Sequence, residues 1–225
     1  PTQETVCASG CDHTTIGAAV TALPGTLTQY SCVVIRDGAT YNEQVTVKNF
    51  INNGSSITIM ADPESGVRPV VAPPASSTAA FLLANSSAGV MGLNIVASQN
   101  VPYGVWASSA YATLTDISVS TSGGAGIYAA GVRISSWSAV VNSTVTVWNA
   151  HAIWLDASTM TVVANSTAVT KNASFAAVYL SSSDNNTVTG SYLQNIAGEG
   201  VRLAIGSDAN IVILSTMVSD AAGLS

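Results

Sequence analysis

Apolar residues in the second half of the chain fall into columns. Aligning Val90, Leu114, Val140, Val163, Val188 and Val212 gives intervals of 24, 26, 23, 25 and 24 residues, the spacing of a solenoid rung. Five residues further on, Ile95, Val119, Val145, Ala168, Leu193 and Met217 make a second apolar column. Val105, Ile127, Ile153, Val178 and Val201 make a third, whose next rung Leu224 would begin. In one rung two frames fit, Gly126-Ile127-Tyr128 and Gly131-Val132-Arg133-Ile134, and the pattern does not choose between them. Alternate residues of a strand face opposite sides, so each column marks an inward position. One rung buries nothing alone, but rungs stacked at about 4.8 Å merge their columns into a continuous core. The expected fold is all-β, a right-handed parallel β-helix. A TIM barrel or doubly wound sheet needs a helix in every repeat, and no further amphipathic stretch of helical length follows Leu23. An antiparallel sandwich, the structural runner-up, predicts no columns.

Ahead of the regular part, Ile16, Ala19, Val20 and Leu23 share one face at helical spacing until Pro24-Gly25 stops the run, which predicts a short capping helix at 14–24. Three β-branched runs follow, at 32–36, 44–47 and 56–60. The 225 residues read as one domain: a disulfide-stapled N-terminal cap (1–32), first irregular rungs (33–88) and regular rungs of about 24 residues (89–225). The pattern breaks off in mid-rung at Ser225, an uncapped C-terminal end, and Pro1 at the other end suggests trimming of an earlier segment.

Charge acts mainly by exclusion. Only 8% of residues are charged against 48% hydrophobic, and the net charge is −6, so the surface is polar but weakly charged. Six isolated Lys and Arg make no phosphate-binding patch, which argues against nucleic acid as a partner. No apolar run approaches the length of a membrane span. Cys7, Cys11 and Cys32 lack the second ligand pair of a zinc site and read as one disulfide plus a leftover thiol, buried or paired between chains. Six N-x-S/T sequons start at Asn53, Asn85, Asn142, Asn165, Asn172 and Asn185. With the cysteines they suggest a secreted, glycosylated protein.

Residues 13–60 carry a resemblance. His13-Thr14-Thr15-Ile16, Ala18-Ala19-Val20 and Leu23-Pro24, then Val33-Val34-Ile35 and the segment Asp37-Gly38-Ala39-Thr40-Tyr41-Asn42-Glu43-Gln44-Val45-Thr46-Val47 resemble the N-terminal part of pectin methylesterases. The resemblance implies the pectin-lyase-like right-handed parallel β-helix and, as activity, demethylesterification of pectin. That family's catalytic motifs, of the types G-Q-A, Q-D-T-L, D-F-I-F-G and G-R-x-W, do not occur in this sequence, so no catalytic residue carries over.

Candidate chemistry therefore has to be read from the rungs. Between inward residues of the third column the outward position reads Trp106, Tyr128 (or Arg133), Trp154, Tyr179 and Arg202, an aromatic ladder suited to sugar rings or to simple coverage of a sheet. Asp156 should share that side, with Glu199 and Arg202 two rungs on as further candidates for catalysis. Ester hydrolysis would also need an oxyanion donor, for which Gln194 is the nearest glutamine in sequence. Asp116, Asp156, Asp184, Glu199, Asp208 and Asp220 are too dispersed for the calcium site of a polysaccharide lyase, so neither a metal nor another cofactor is expected. His13 and His151 read as structural and Ser122 to Gly126 as a turn. Gly92, Asp116, Asn142, Asn165, Gly190 and Leu214 form a further column in which Asn142 and Asn165 either stack inward as an amide ladder or stay outside and free for glycans. The expected protein is a secreted, non-catalytic β-helix glycoprotein that binds polysaccharide or stacks on copies of itself through the solenoid ends. The alternative is a pectinesterase-type carbohydrate esterase.

Overall fold

The computed structural model describes residues 2–108, 110–121 and 126–219. Leu224, Asp220, Ser225 and the glycine-rich run at 122–125 lie outside them. Three parallel sheets of nine, seven and eight strands wrap one core as a right-handed β-helix, and the nine-stranded sheet counts its turns. The expected columns are the registers of these sheets. Val90, Leu114, Val140, Val163, Val188 and Val212 pair in series in the nine-stranded sheet. Ile95, Val119, Val145, Ala168, Leu193 and Met217 pair in series in the eight-stranded sheet. From Val90 to Val188 the first column is buried throughout, as is the second from Ile95 to Leu193.

The third column needs one correction. In the seven-stranded sheet Val132, not Ile127, lies between Val105 and Ile153. Ile127 pairs with Val101, but Ala130 pairs with Tyr103, so the strand Ile127–Ile134 holds one extra residue in that interval. Such a bulge lets two frames fit one sequence, and both apolar residues are buried.

At the N-terminus the helix is shorter than expected, Ile16–Ala22, with Thr15 as its N-cap. Glu43 accepts hydrogen bonds from the Ile16 and Gly17 amides, both at 2.8 Å, where a carboxylate also complements the helix dipole. Thr2–Val6, read only as part of the cap, is a strand pairing with Ser31–Ile35. Cys7 and Cys11 form the disulfide, with Cα atoms 5.5 Å apart, and Cys32 is free and half-exposed.

The Gly92, Asp116, Asn142, Asn165, Gly190 and Leu214 column lies at a left-handed turn, φ running from 50° to 72°. Its side chains do not form an inward amide ladder: Asn142 and Asn165 are exposed. The inward ladder is one residue later, in serine. The Ser143 amide donates to Ser166 Oγ at 3.1 Å, that of Ser166 to Ser191 Oγ at 3.2 Å and that of Ser191 to Ser215 Oγ at 3.1 Å. Amide stacking occurs at another turn, where the Asn186 side chain donates to Asn210 Oδ1 at 3.0 Å.

Candidate functional site

The seven-stranded sheet carries the chemistry because its strands place two consecutive residues inward and thereby turn their neighbours out. Gly104, Gly131, Ala152, Ala177 and Gly200 form a small-residue inward column beside Val105, Val132, Ile153, Val178 and Val201. A Cβ on Gly104 would lie 2.6 Å from both the Gly131 carbonyl oxygen and Val119 Cγ1, so only glycine fits there. The register then aligns Leu82, Trp106, Arg133, Trp154, Tyr179 and Arg202 on the outer face. Tyr128 does not belong to this ladder. It lies on the far side of the bulge, exposed, and Arg133 takes the place expected for it.

Arg133 fills the space between the two indoles. Its guanidinium carbon is 5.3 Å from the Trp106 ring centre, 4.6 Å from that of Trp154 and 5.4 Å from that of Tyr103, distances at which cation–π attraction operates. Nε donates to Asp156 Oδ2 at 3.1 Å, a second nitrogen donates to the same oxygen, and Nη1 donates to the Tyr103 hydroxyl at 2.7 Å. Burial alone would depress the Arg133 pKa, but the Asp156 carboxylate and Tyr103 outweigh it and hold it above its ordinary value. Asp156 and Arg202, both candidates for catalysis in the sequence, are thus divided between two clamps. Arg202 is bonded to Glu199 and to the Ser174 carbonyl, the latter at 3.1 Å.

His151, set aside in the sequence as structural, is part of the same face. Its ring stacks on Tyr179 at 4.3 Å and meets Phe175 edge-on at 5.1 Å, while Trp154 and Tyr179 are 5.7 Å apart. Nδ1 accepts from the Ala176 amide at 3.0 Å. Burial, aided by Arg202, pushes its pKa down to about 4, against the opposing pull of the Ala176 hydrogen bond and Glu199. Neither its stacking nor the roles of Tyr103 and Phe175 is visible as a motif, because these residues reach the face from turns and strand starts of differing length.

Beside the ladder a cleft of about 390 Å³ opens between Trp106, Tyr111, Arg133, Ser135, Ser136 and Asp156. Two buried polar atoms near it, Trp154 Nε1 and Ser135 Oγ, have no hydrogen-bond partner. Gln194 lies on the eight-stranded sheet and not on this face. Among the described residues no group of three His, Cys, Asp or Glu is placed to hold a metal ion. Of the sequons, Asn53, Asn85, Asn142, Asn165 and Asn185 are exposed and Asn172 is half-buried.

Comparison with known proteins agrees with this architecture. A family model described as "right handed beta helix region" matches residues 75–217. The pectin methylesterase of Aspergillus niger superposes with a TM-score of 0.61 at 14% identity, over 96% of this chain and 85% of its own. Pectin methylesterase PemA of Erwinia chrysanthemi gives 0.55 at 14% identity, over 87% of this chain and 66% of its own. A pectin methylesterase in complex with a hexasaccharide gives 0.53 at 13% identity, over 84% and 66%. Among curated proteins none matches the sequence.

Proposed function

From the premise that the chain belongs to the right-handed β-helix family, we propose that it is a secreted glycoprotein which binds a polysaccharide along its aromatic face without cleaving it. The observation that carries this reading is the ladder itself. Trp106, Arg133, Trp154 and Tyr179 form a contiguous row across four rungs, and rings of this kind suit the apolar faces of pyranoses. A pectin methylesterase of the same fold holds a hexasaccharide, which makes a glycan a natural occupant here. Both candidate acids, Asp156 and Glu199, are tied to arginines. The Cys7–Cys11 disulfide and the exposed sequons support an extracellular setting. The test is affinity electrophoresis in gels cast with soluble glycans. Trp106→Ala and Trp154→Ala should each weaken retention by about tenfold, the range of a single aromatic anchor. Unchanged retention in both variants would remove the ladder from the binding site.

One observation favours a second reading, esterase action: the Asp156 carboxylate held by Arg133 on a face open to ligand. Methanol release from highly esterified pectin, lost in Asp156→Asn, would establish it in place of pure binding. End-to-end stacking of copies is a companion proposal, motivated by the exposed Ile211, Val212, Ile213 and Met217 of the last described rung. Sedimentation over a concentration series tests it.

A further inference from the structure

We propose that this face selects uncharged pyranoside chains and rejects polyuronates, with Asp156 Oδ1 as the determinant that takes a sugar hydroxyl; the inference rests on the glycan-binding reading above. A uronate carboxylate needs a cation or several aimed donors. All four arginines are already matched to carboxylates: Arg36 to Asp62 at 3.9 Å, Arg68 to Asp116 at 3.1 Å, Arg133 to Asp156 and Arg202 to Glu199. Lys171 lies over the Trp148 ring at 4.3 Å. Lys48 is exposed but sits on the first strand of the seven-stranded sheet, Val45–Lys48, four strands from Asp156. At about 4.8 Å per strand that is roughly 19 Å, too far for an ion pair with a sugar held at Asp156.

The charged groups of the ladder are therefore paired with one another, and no cation on it is left unmatched. Three Arg133 hydrogen bonds go to Asp156 Oδ2 and the Tyr103 hydroxyl. What the cleft offers instead is an acceptor. Both contacts from Arg133 fall on Oδ2, and among the described residues Oδ1 receives no hydrogen bond. Asp156 is half-buried and lines the cleft beside the Trp106 and Tyr111 rings and the unpartnered Ser135 hydroxyl. A carboxylate oxygen beside aromatic walls accepts from a hydroxyl donor and has no proton to offer a second carboxylate. A methyl-esterified uronate and a neutral hexose share that chemistry, as both bring hydroxyls and no charge.

The experiment uses the 225-residue protein in low-salt affinity gels containing neutral galactan, highly methyl-esterified pectin or polygalacturonate. At least one of the two uncharged polymers should retard it, and polygalacturonate, whose carboxylates find no unmatched cation on this face, should bind at least about tenfold more weakly. Retention by galactan or by esterified pectin supports the inference and tells which source of hydroxyls is used. Equal or stronger retention by polygalacturonate overturns the selectivity while leaving glycan binding in place. Retention by none of the three overturns the binding reading and the inference with it. Asp156→Asn, which unpairs Arg133, should gain polygalacturonate retention that about 0.15 M salt abolishes (roughly an 8 Å screening length). Glu199→Gln, which unpairs Arg202 on the same face, should show the same gain, and absence of any gain in both folded variants counts against the charge argument.

Discussion

At Arg133 a guanidinium is held by two indoles, a phenol and a carboxylate at once, and this one residue makes a row of aromatic rings continuous. A small side chain there would leave a gap between Trp106 and Trp154, which stand two strands apart, about 10 Å by strand spacing. His151 shows the opposite use of burial. Its pKa, lowered to about 4 by burial and Arg202, lies below the value near 6.5 expected in the unfolded chain. The unfolded state therefore takes the proton first as pH falls, and the contribution of neutral His151, complete above about pH 6.5, drains away towards pH 4. Urea unfolding between about pH 7 and 4 should show up to about 3 kcal/mol of this loss. His151→Gln should remove that part of the slope, and an unchanged slope would show that the imidazole titrates normally. A third residue-scale effect is steric. Gly104→Ala places a methyl group 2.6 Å from the Gly131 carbonyl oxygen, and the forced backbone shift should cost about 1–3 kcal/mol in chemical denaturation.

Turns, more than strands, explain which parts of the sequence were legible. The strand columns announce themselves because stacked rungs repeat an inward apolar residue, and the first two columns are the observed registers. The third was ambiguous because the bulge between Tyr103 and Val101 makes Ile127 and Val132 both inward. Sequence periodicity cannot count an inserted residue that is itself apolar. Asn142 and Asn165 were equally suited to an inward ladder or a turn, and the left-handed backbone decides for the turn: asparagine tolerates φ near 50° there, while the small serine behind it fits inward. The N-S-T sequons at these two places therefore also have a structural origin. Ser166→Ala separates the two roles, since it leaves Asn165 and Thr167, and with them the sequon, in place but removes the acceptor of the buried Ser143 amide. It should destabilise the protein by about 1–3 kcal/mol without changing glycan mass at Asn165, as read by denaturation and by intact-mass analysis of protein from a glycosylating host.

Across the whole molecule the site is a property of stacking. No rung holds it alone: Trp106, Arg133, Trp154 and Tyr179 come from four strands, and so the sequence could suggest an outward row but not the pairing of Asp156 with Arg133 or the inclusion of His151. The same nearest-neighbour construction governs stability, because each rung is held mainly by the rungs on either side. Among the described residues Ile211 is 54% and Ile213 49% exposed, whereas Val140 and Val145 are at 0%. In the 225-residue protein, opening should accordingly be easiest in these exposed strands. Amides of Ile211–Ile213 and Thr216–Ser219 should exchange with deuterium much faster than those of Ala139–Val141 and Thr144–Thr146. If copies stack end to end, raising protein concentration should slow exchange at the edge selectively, while a bound glycan should protect the seven-stranded sheet around Trp106 to Tyr179. Protection that rises uniformly in all three sheets would mean that the rungs unfold as one cooperative unit, and the exposed edge would then have no separate role in assembly.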